Sequence, residues 1–297
     1  MLHYGFGLAI AIVAAAAGVA AADSAYVQDI QKWRQQRVER LTKPTGWLSL
    51  VGLDWLKEGR NTLGSTPDND IVIASAPAHL GTIVLSGAKA SIALDATSGA
   101  TIDGAAKFEG ELLDDTHEKP TVIAFGTTNF YLLKREDKYG LRIKDAEAPT
   151  RKQFVGIDYF DVDPSWRIEA KWEAYDPPRE VEEANIIGQT DKVIVPGAAV
   201  FEHGGQTFRV EPVIETPGDK EYFLVFADKT SGKETYGAAR FVYSEPPKDG
   251  KVVIDFNKAY NPPCAFTPFA TCPLPTAQNR LKTRVTAGEK KYRGGHQ

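Results

Sequence analysis

After Pro44 the chain becomes one short β-favouring run after another, each closed by Gly, Asn, Asp or Pro, and no helical period recurs. The runs are 47–53, 60–63, 70–74, 82–85, 90–94, 121–125, 129–134 and 141–144. Past Ala146–Pro149, which reads as a linker, they resume at 167–175, 181–187, 192–196, 207–213, 222–227, 234–243 and 251–256. A spacing of about 8 to 12 residues predicts antiparallel sandwiches or barrels. Only residues 24–41 carry a helical pattern, with Tyr26, Ile30, Trp33, Arg37 and Leu41 in phase and Ser24 placed to cap it. That phase turns Trp33 and Leu41 to a core and Lys32, Arg34, Arg37 and Arg40 to water. The expected fold is mainly β. A helix within 23–44 precedes two β-sandwich or barrel-like modules, 45–148 and 149–297, the second carrying an irregular Pro-rich loop over 257–281.

Composition removes several classes. The 297 residues are 42% hydrophobic and 25% charged, which are globular values and exclude disorder, collagen and a multi-span membrane protein. A net charge of -4 provides no basic face for nucleic acid. Two Cys exclude a Cys-rich scaffold, and the single Met excludes a Met-ligated copper site.

Residues 1–22 contain no Asp, Glu, Lys or Arg. The apolar run Phe6–Ala17 is shorter than the ~20 residues of a membrane span, and Ala20-Ala21-Ala22 supplies small residues ahead of Asp23. This is the pattern of a cleaved secretory signal peptide, giving a periplasmic or secreted chain with no stable membrane insertion. In an oxidising compartment Cys264 and Cys272 form a disulfide, which in so short a loop adds about 2 to 3 kcal/mol. The alternative is a free thiol nucleophile.

Familiar catalytic motifs fail on inspection. Ser231-Gly232-Lys233 has Ala227 in place of the first phosphate-loop Gly and Glu234 in place of the magnesium-binding hydroxyl. There is no Gly-x-Ser-x-Gly elbow. His79, His117, His203 and His296 are isolated, and the run Asp158, Asp161, Asp163 meets Pro164 where a calcium loop needs Gly. No metal or cofactor is expected. Asp95–Gly99 and Asp228–Gly232 share Asp-x-Thr-Ser-Gly, which is ordinary turn chemistry and no repeat. Gly59–Gly64 followed by Asp68–Ile73 resembles the opening of forkhead-associated domains, β-sandwiches that bind phosphothreonine. Their next stretch carries a phosphate-binding Arg. Here Ser75 leads into Ala76-Pro77-Ala78-His79, so the resemblance implies a fold for 45–148 and no phosphopeptide site.

The distinctive stretch lies near the C-terminus. Five prolines fall between 262 and 275, amid Asp255, Asn257, Tyr260, Asn261, Cys264, Phe266, Cys272 and Asn279. Proline fixes φ and removes a donor, so the stretch is a stiff loop and no central strand. Amides, phenols and carboxylates on such a loop serve a ligand, or else satisfy backbone groups that an irregular segment leaves unpaired. Asn261-Pro262-Pro263-Cys264-Ala265-Phe266 and Thr271–Pro275, with Gly46–Leu53 and Trp55-Leu56, resemble an uncharacterised bacterial family catalogued as domain of unknown function 1684. The resemblance spans about residues 27–289, departs at Thr276, and implies no activity.

Three functions follow. The first is binding of a small polar or anionic ligand in a pocket rimmed by the loop. Arg240 would meet the anion, Tyr236, Tyr260 and Phe266 would give apolar walls, and Asn257, Asn261 and Asn279 would direct hydrogen bonds. The second is a hydrolase with Asp255 as base or nucleophile and Arg240 stabilising negative charge, or with Cys264 as nucleophile. The third is a purely structural loop in which Arg240 pairs with Asp255.

Overall fold

A computed structural model describes residues 7–216 and 218–294. The start of the expected signal peptide, residues 1–6, and His296 lie outside the described residues. Helix α1 (Gly7–Thr42) is longer than the sequence pattern predicts. Ser24 lies inside it and does not cap it, because Ala20–Ala22 are strong helix formers leading straight in. No described helix is long and apolar enough to cross a membrane.

The first β unit holds β1 (Leu50–Trp55), β2 (Gly59–Gly64), β3 (Ile71–Val72), β4 (Gly81–Ser86), β5 (Lys89–Leu94), β6 (Thr101–Ile102), β7 (Glu109–Glu111), β8 (Val122–Phe125), β9 (Thr128–Arg135) and β10 (Lys138–Asp145). They form two five-stranded sheets, ordered β1-β10-β9-β8-β6 and β3-β2-β4-β5-β7. The ladders are antiparallel except β2 with β3. Alternation is strict in β5, which buries Ala90, Ile92 and Leu94 and exposes the residues between. Leu63, Ile83, Ile92, Ile123, Phe130 and Leu141 join in one core between the sheets. Each large apolar side chain fully buried there contributes about 1.5 to 3 kcal/mol.

The short helix α2 (Pro149–Lys152) leads to β11 (Arg167–Ala184), β12 (Thr190–His203), β13 (Gln206–Val210), β14 (Tyr222–Phe226), β15 (Arg240–Ser244) and β16 (Lys251–Asp255). Four of these make an antiparallel sheet, β13-β12-β11-β16, and β14 pairs with β15. The sequence splits β11 into two runs at Pro177-Pro178. The structure keeps one strand and shifts its register against β12 between Ala174 and Arg179, so the prolines sit where the ladder needs no donor. The expected strand over 234–243 starts only at Arg240, because Thr235 turns back to bond Thr230. Trp166, Phe201, Phe226 and Phe256 anchor one core of this unit; Val213, Phe223, Val225 and Phe241 anchor a second.

Helix α1 docks on this second unit. Ile30 and Leu41 are fully buried. Tyr26 donates its hydroxyl to Asp255 at 2.8 Å, and Arg34 donates to the carbonyl of Phe160 at 2.9 Å. Arg37, expected in water, is buried: it pairs with Glu289 at 3.0 Å and donates to the carbonyl of Asn261 at 2.8 Å. Helical phase alone gave Arg37 the wrong environment, because the second unit covers a wider face of the helix than an apolar stripe marks.

Candidate functional site: a cleft beside the proline-rich loop

The loop itself is a scaffold. It turns through three short 3-10 segments, Phe256–Lys258, Pro263–Ala265 and Ala277–Asn279, and its three expected ligand amides are all buried. Asn257 accepts from the backbone of Asp163 at 2.9 Å and donates back to its carbonyl at 2.8 Å. Asn279 makes the same two-way clasp on Glu211, at 2.8 and 2.9 Å. Asn261 donates its amide to the carbonyl of Lys290, while its backbone N–H donates to Glu289 at 2.7 Å. Gly288 presses so close that a Cβ would meet the carbonyl oxygen of Ala259 at 2.4 Å, and its φ of 78° favours glycine as well. Phe266 packs with Leu41 and Leu48, and Tyr236 donates to the carbonyl of Cys264 at 3.1 Å.

Arg240 is 1% exposed and enclosed by carbonyls. It donates to Val285 at 2.9 Å, to Ala287 at 2.5 Å and to the carboxylate of Asp228 at 3.2 Å. Its partner is therefore Asp228, and the expected pairing with Asp255 does not form. Burial, opposed by Asp228, lowers the Arg240 pKa. Asp255 is held separately, accepting from Tyr26 and from the backbone of Asn257 at 3.1 Å. A joint catalytic role for Asp255 and Arg240 has no geometric basis in these contacts.

Cys264 and Cys272 are brought together as free, buried thiols. The Cys264 N–H points at the Cys272 sulfur at 3.2 Å. A hydrogen bond from Cys272 lowers the Cys264 pKa, and that same bond with burial raises that of Cys272.

The large concavity lies next to the loop, between α1, the outer face of β10 and the β14–β15 pair, with a volume of about 1380 Å³. Of the residues expected at a site, it takes in Asp255, Tyr260 and Cys272. Arg240, Tyr236, Asn257, Asn261, Cys264, Phe266 and Asn279 do not line it. Its aromatic walls are Trp33, Trp47, Phe223, Phe241, Tyr243 and Tyr260. Trp33 lies 6.4 Å from Tyr260, which stacks on Tyr243 at 6.3 Å, and the Arg37 guanidinium covers Tyr260 at 4.6 Å. Tyr243 donates to Glu215 at 2.7 Å. Burial raises the pKa of Tyr243, Tyr260 and Glu215. Behind Glu215, burial and the charges of Glu215 and Asp191 push Glu183 up to about 7. At the far end stand Arg135, Arg142 and Thr271. Among the described residues no group of three or more His, Cys, Asp and Glu is placed to hold a metal ion.

Sequence reasoning missed most of this lining. Trp33, Arg142, Glu215 and Tyr243 come from four distant segments and share no motif. Arg142 stands between Leu141 and Ile143, which face the first core, so alternation sends it outward, as it would any solvated residue. Its burial comes from the second unit folding over it, and no local pattern encodes that.

A family model described as "Protein of unknown function (DUF1684)" matches residues 152–290. That segment includes the Asn261–Phe266 and Thr271–Pro275 motifs and leaves out Gly46–Leu53. An uncharacterized protein of Haloarcula marismortui, solved by solution NMR, is 32% identical over 47% of this chain and 78% of its own, with a TM-score of 0.41. A structure from a study of phosphothreonine-dependent FHA domain interactions is 20% identical over 31% of this chain and 92% of its own, with a TM-score of 0.22. No curated protein matches the chain.

Proposed function

The chain belongs to the DUF1684 family of proteins of unknown function, and we propose that it binds a small polar ligand in the cleft between α1, β10 and the β14–β15 pair. The observation that carries this is the lining: six aromatic rings and fixed Arg, phenol and carboxylate groups meet in one concavity of about 1380 Å³. The lining is more charged than the apolar walls usual for a small-molecule site, which is why the ligand proposed is a polar one. The loop serves by holding Tyr260 and Thr271 in place; its amides face away from the ligand.

Trp33 and Trp47 both line the cleft and report on it directly. A screen of small polar compounds should find one that shifts tryptophan emission saturably, and Trp33→Ala should weaken it about tenfold through lost stacking. A hit unaffected by Trp33→Ala, or no hit among sugars, nucleotides, amino acids and their phosphates, would remove the proposal.

The same chain is proposed to be exported, with cleavage between Ala22 and Asp23 and oxidation of Cys264 with Cys272 on arrival. The adjacency of the two sulfurs supports the second step. The mass of the mature chain and a thiol count on it test both. A retained N-terminus would refute cleavage, and two free thiols would refute the disulfide.

A further inference from the structure

The far end of the cleft holds a charge imbalance. Arg142 is 4% exposed and sits on the outer face of β10, directly opposite Tyr131 of β9. A guanidinium has five N–H donors. Arg142 directs one at the Tyr131 hydroxyl at 3.2 Å and one at the Thr271 hydroxyl at 3.4 Å, and its buried Nε has no partner. Among the described residues it forms no ion pair. Arg135 directs its own Nε at the same Thr271 hydroxyl, at 3.3 Å, and pairs with Asp115 through Nη1 at 2.9 Å. Two guanidinium groups thus converge at long range on one neutral oxygen. Lys144 stands two residues beyond Arg142 on the same strand face, and burial together with Arg142 pushes its pKa down to about 8. Three cations share this corner with one ion-paired carboxylate, Asp115. A buried cation without a counter-charge is costly, and an anion bound beside it would offset that cost.

We propose that this corner is an oxyanion subsite that takes the phosphate or sulfate group of a monoester ligand, a proposal that rests on the cleft being a ligand site. The donors come from three chain segments: the Arg135 guanidinium on β9, the Arg142 guanidinium on β10 and the Thr271 hydroxyl on the loop. A planar carboxylate matches a single guanidinium fork. A tetrahedral group with three free oxygens can accept from all three donors together. Trp47, 5.3 Å from the Arg142 guanidinium, closes the corner and faces the rest of the cleft.

Inorganic phosphate and sulfate are the probes, titrated into the full chain with acetate and chloride at matched ionic strength. Tryptophan emission and melting temperature are followed together. Phosphate or sulfate should give a saturable response that acetate and chloride do not. Arg142→Gln should weaken it at least about tenfold, as loss of a charge-assisted donor set implies. Arg142→Lys keeps the charge and loses the fork, so it should fold normally and still bind less tightly. Without anion, Arg142→Gln should melt no lower than the wild type, since it removes a buried unpaired charge. The subsite is overturned by no saturable response in the wild type, by acetate matching phosphate, or by unchanged affinity in Arg142→Gln. It is also overturned if Arg142→Gln melts well below the wild type, which would make Arg142 a structural residue. An organic compound that binds wild type and Arg142→Gln alike would sink the subsite and keep the cleft. If phosphate binds as described and no organic compound does, the subsite stands and the wider cleft reading falls.

Discussion

The proline-rich loop and the cleft beside it use similar side chains to opposite ends. In and around the loop, charge and hydrogen bonding close on themselves. Arg240 has Asp228 and two carbonyls, while Asn257 and Asn279 each clasp one backbone residue in both directions. Single atoms remain over, Arg240 Nε, Asn261 Oδ1 and Thr276 Oγ1, but no charge does. In the cleft, Arg142 is nearly as buried as Arg240 and has hydroxyls for partners and no carboxylate. Density of polar groups does not separate a scaffold from a site. On the reading proposed above, unbalanced charge in a concave place is what marks the site.

That contrast can be broken most forcefully at Arg240. Arg240→Ala leaves Asp228 buried without its counter-charge and strips donors from Val285 and Ala287. Denaturant unfolding should register a loss of about 3 to 5 kcal/mol. A loss below about 1 kcal/mol, or a selective loss of binding, would move Arg240 from scaffold to site.

Next in size is Glu183, a buried carboxyl that feels the charge of Glu215, which lines the cleft. Its folded pKa of about 7 lies above the ordinary glutamate value near 4.3. A carboxyl raised on folding favours its protonated form, so its contribution is fully present below about pH 4.3 and fades as pH rises to about 7. Glu183→Gln should therefore match the wild type in acid and exceed it by about 3 kcal/mol at pH 8. Parallel stability curves from pH 4 to 8 would show that burial and Glu215 do not press on this group. The smallest effect is Asn261→Ala, which should cost about 1 to 3 kcal/mol of stability and leave ligand affinity unchanged. Altered affinity with unaltered stability would return Asn261 to the site.

Much of the fold was legible. Runs such as 82–85 and 90–94 became β4 and β5 because alternation with turn residues is a local signal. The two-residue β6 and three-residue β7 went unread, being too short to carry a period. The start of α1 was misplaced because Ser24 is a good cap that the chain did not need. The site was less legible. The loop's Asn and Tyr residues signalled that something required fixed geometry, and what it required was mostly its own backbone. Asp255, Tyr260 and Cys272 do face the cleft, but the groups opposite them, Trp33 and Arg142, belong to a helix and a strand far away in sequence. Only the packing of one β unit on the other makes them neighbours.

Helix α1 ties together segments far apart in the sequence. Tyr26 meets Asp255 across 229 positions, and Arg37 meets Glu289 across 252. Contacts of that span close very large loops, and the entropy of closing them must be offset by the packing they bring. Trp33 and Arg37, carried by that helix, are thus walls of the cleft that no local folding can set in place: they stand where they do only once these distant segments have met.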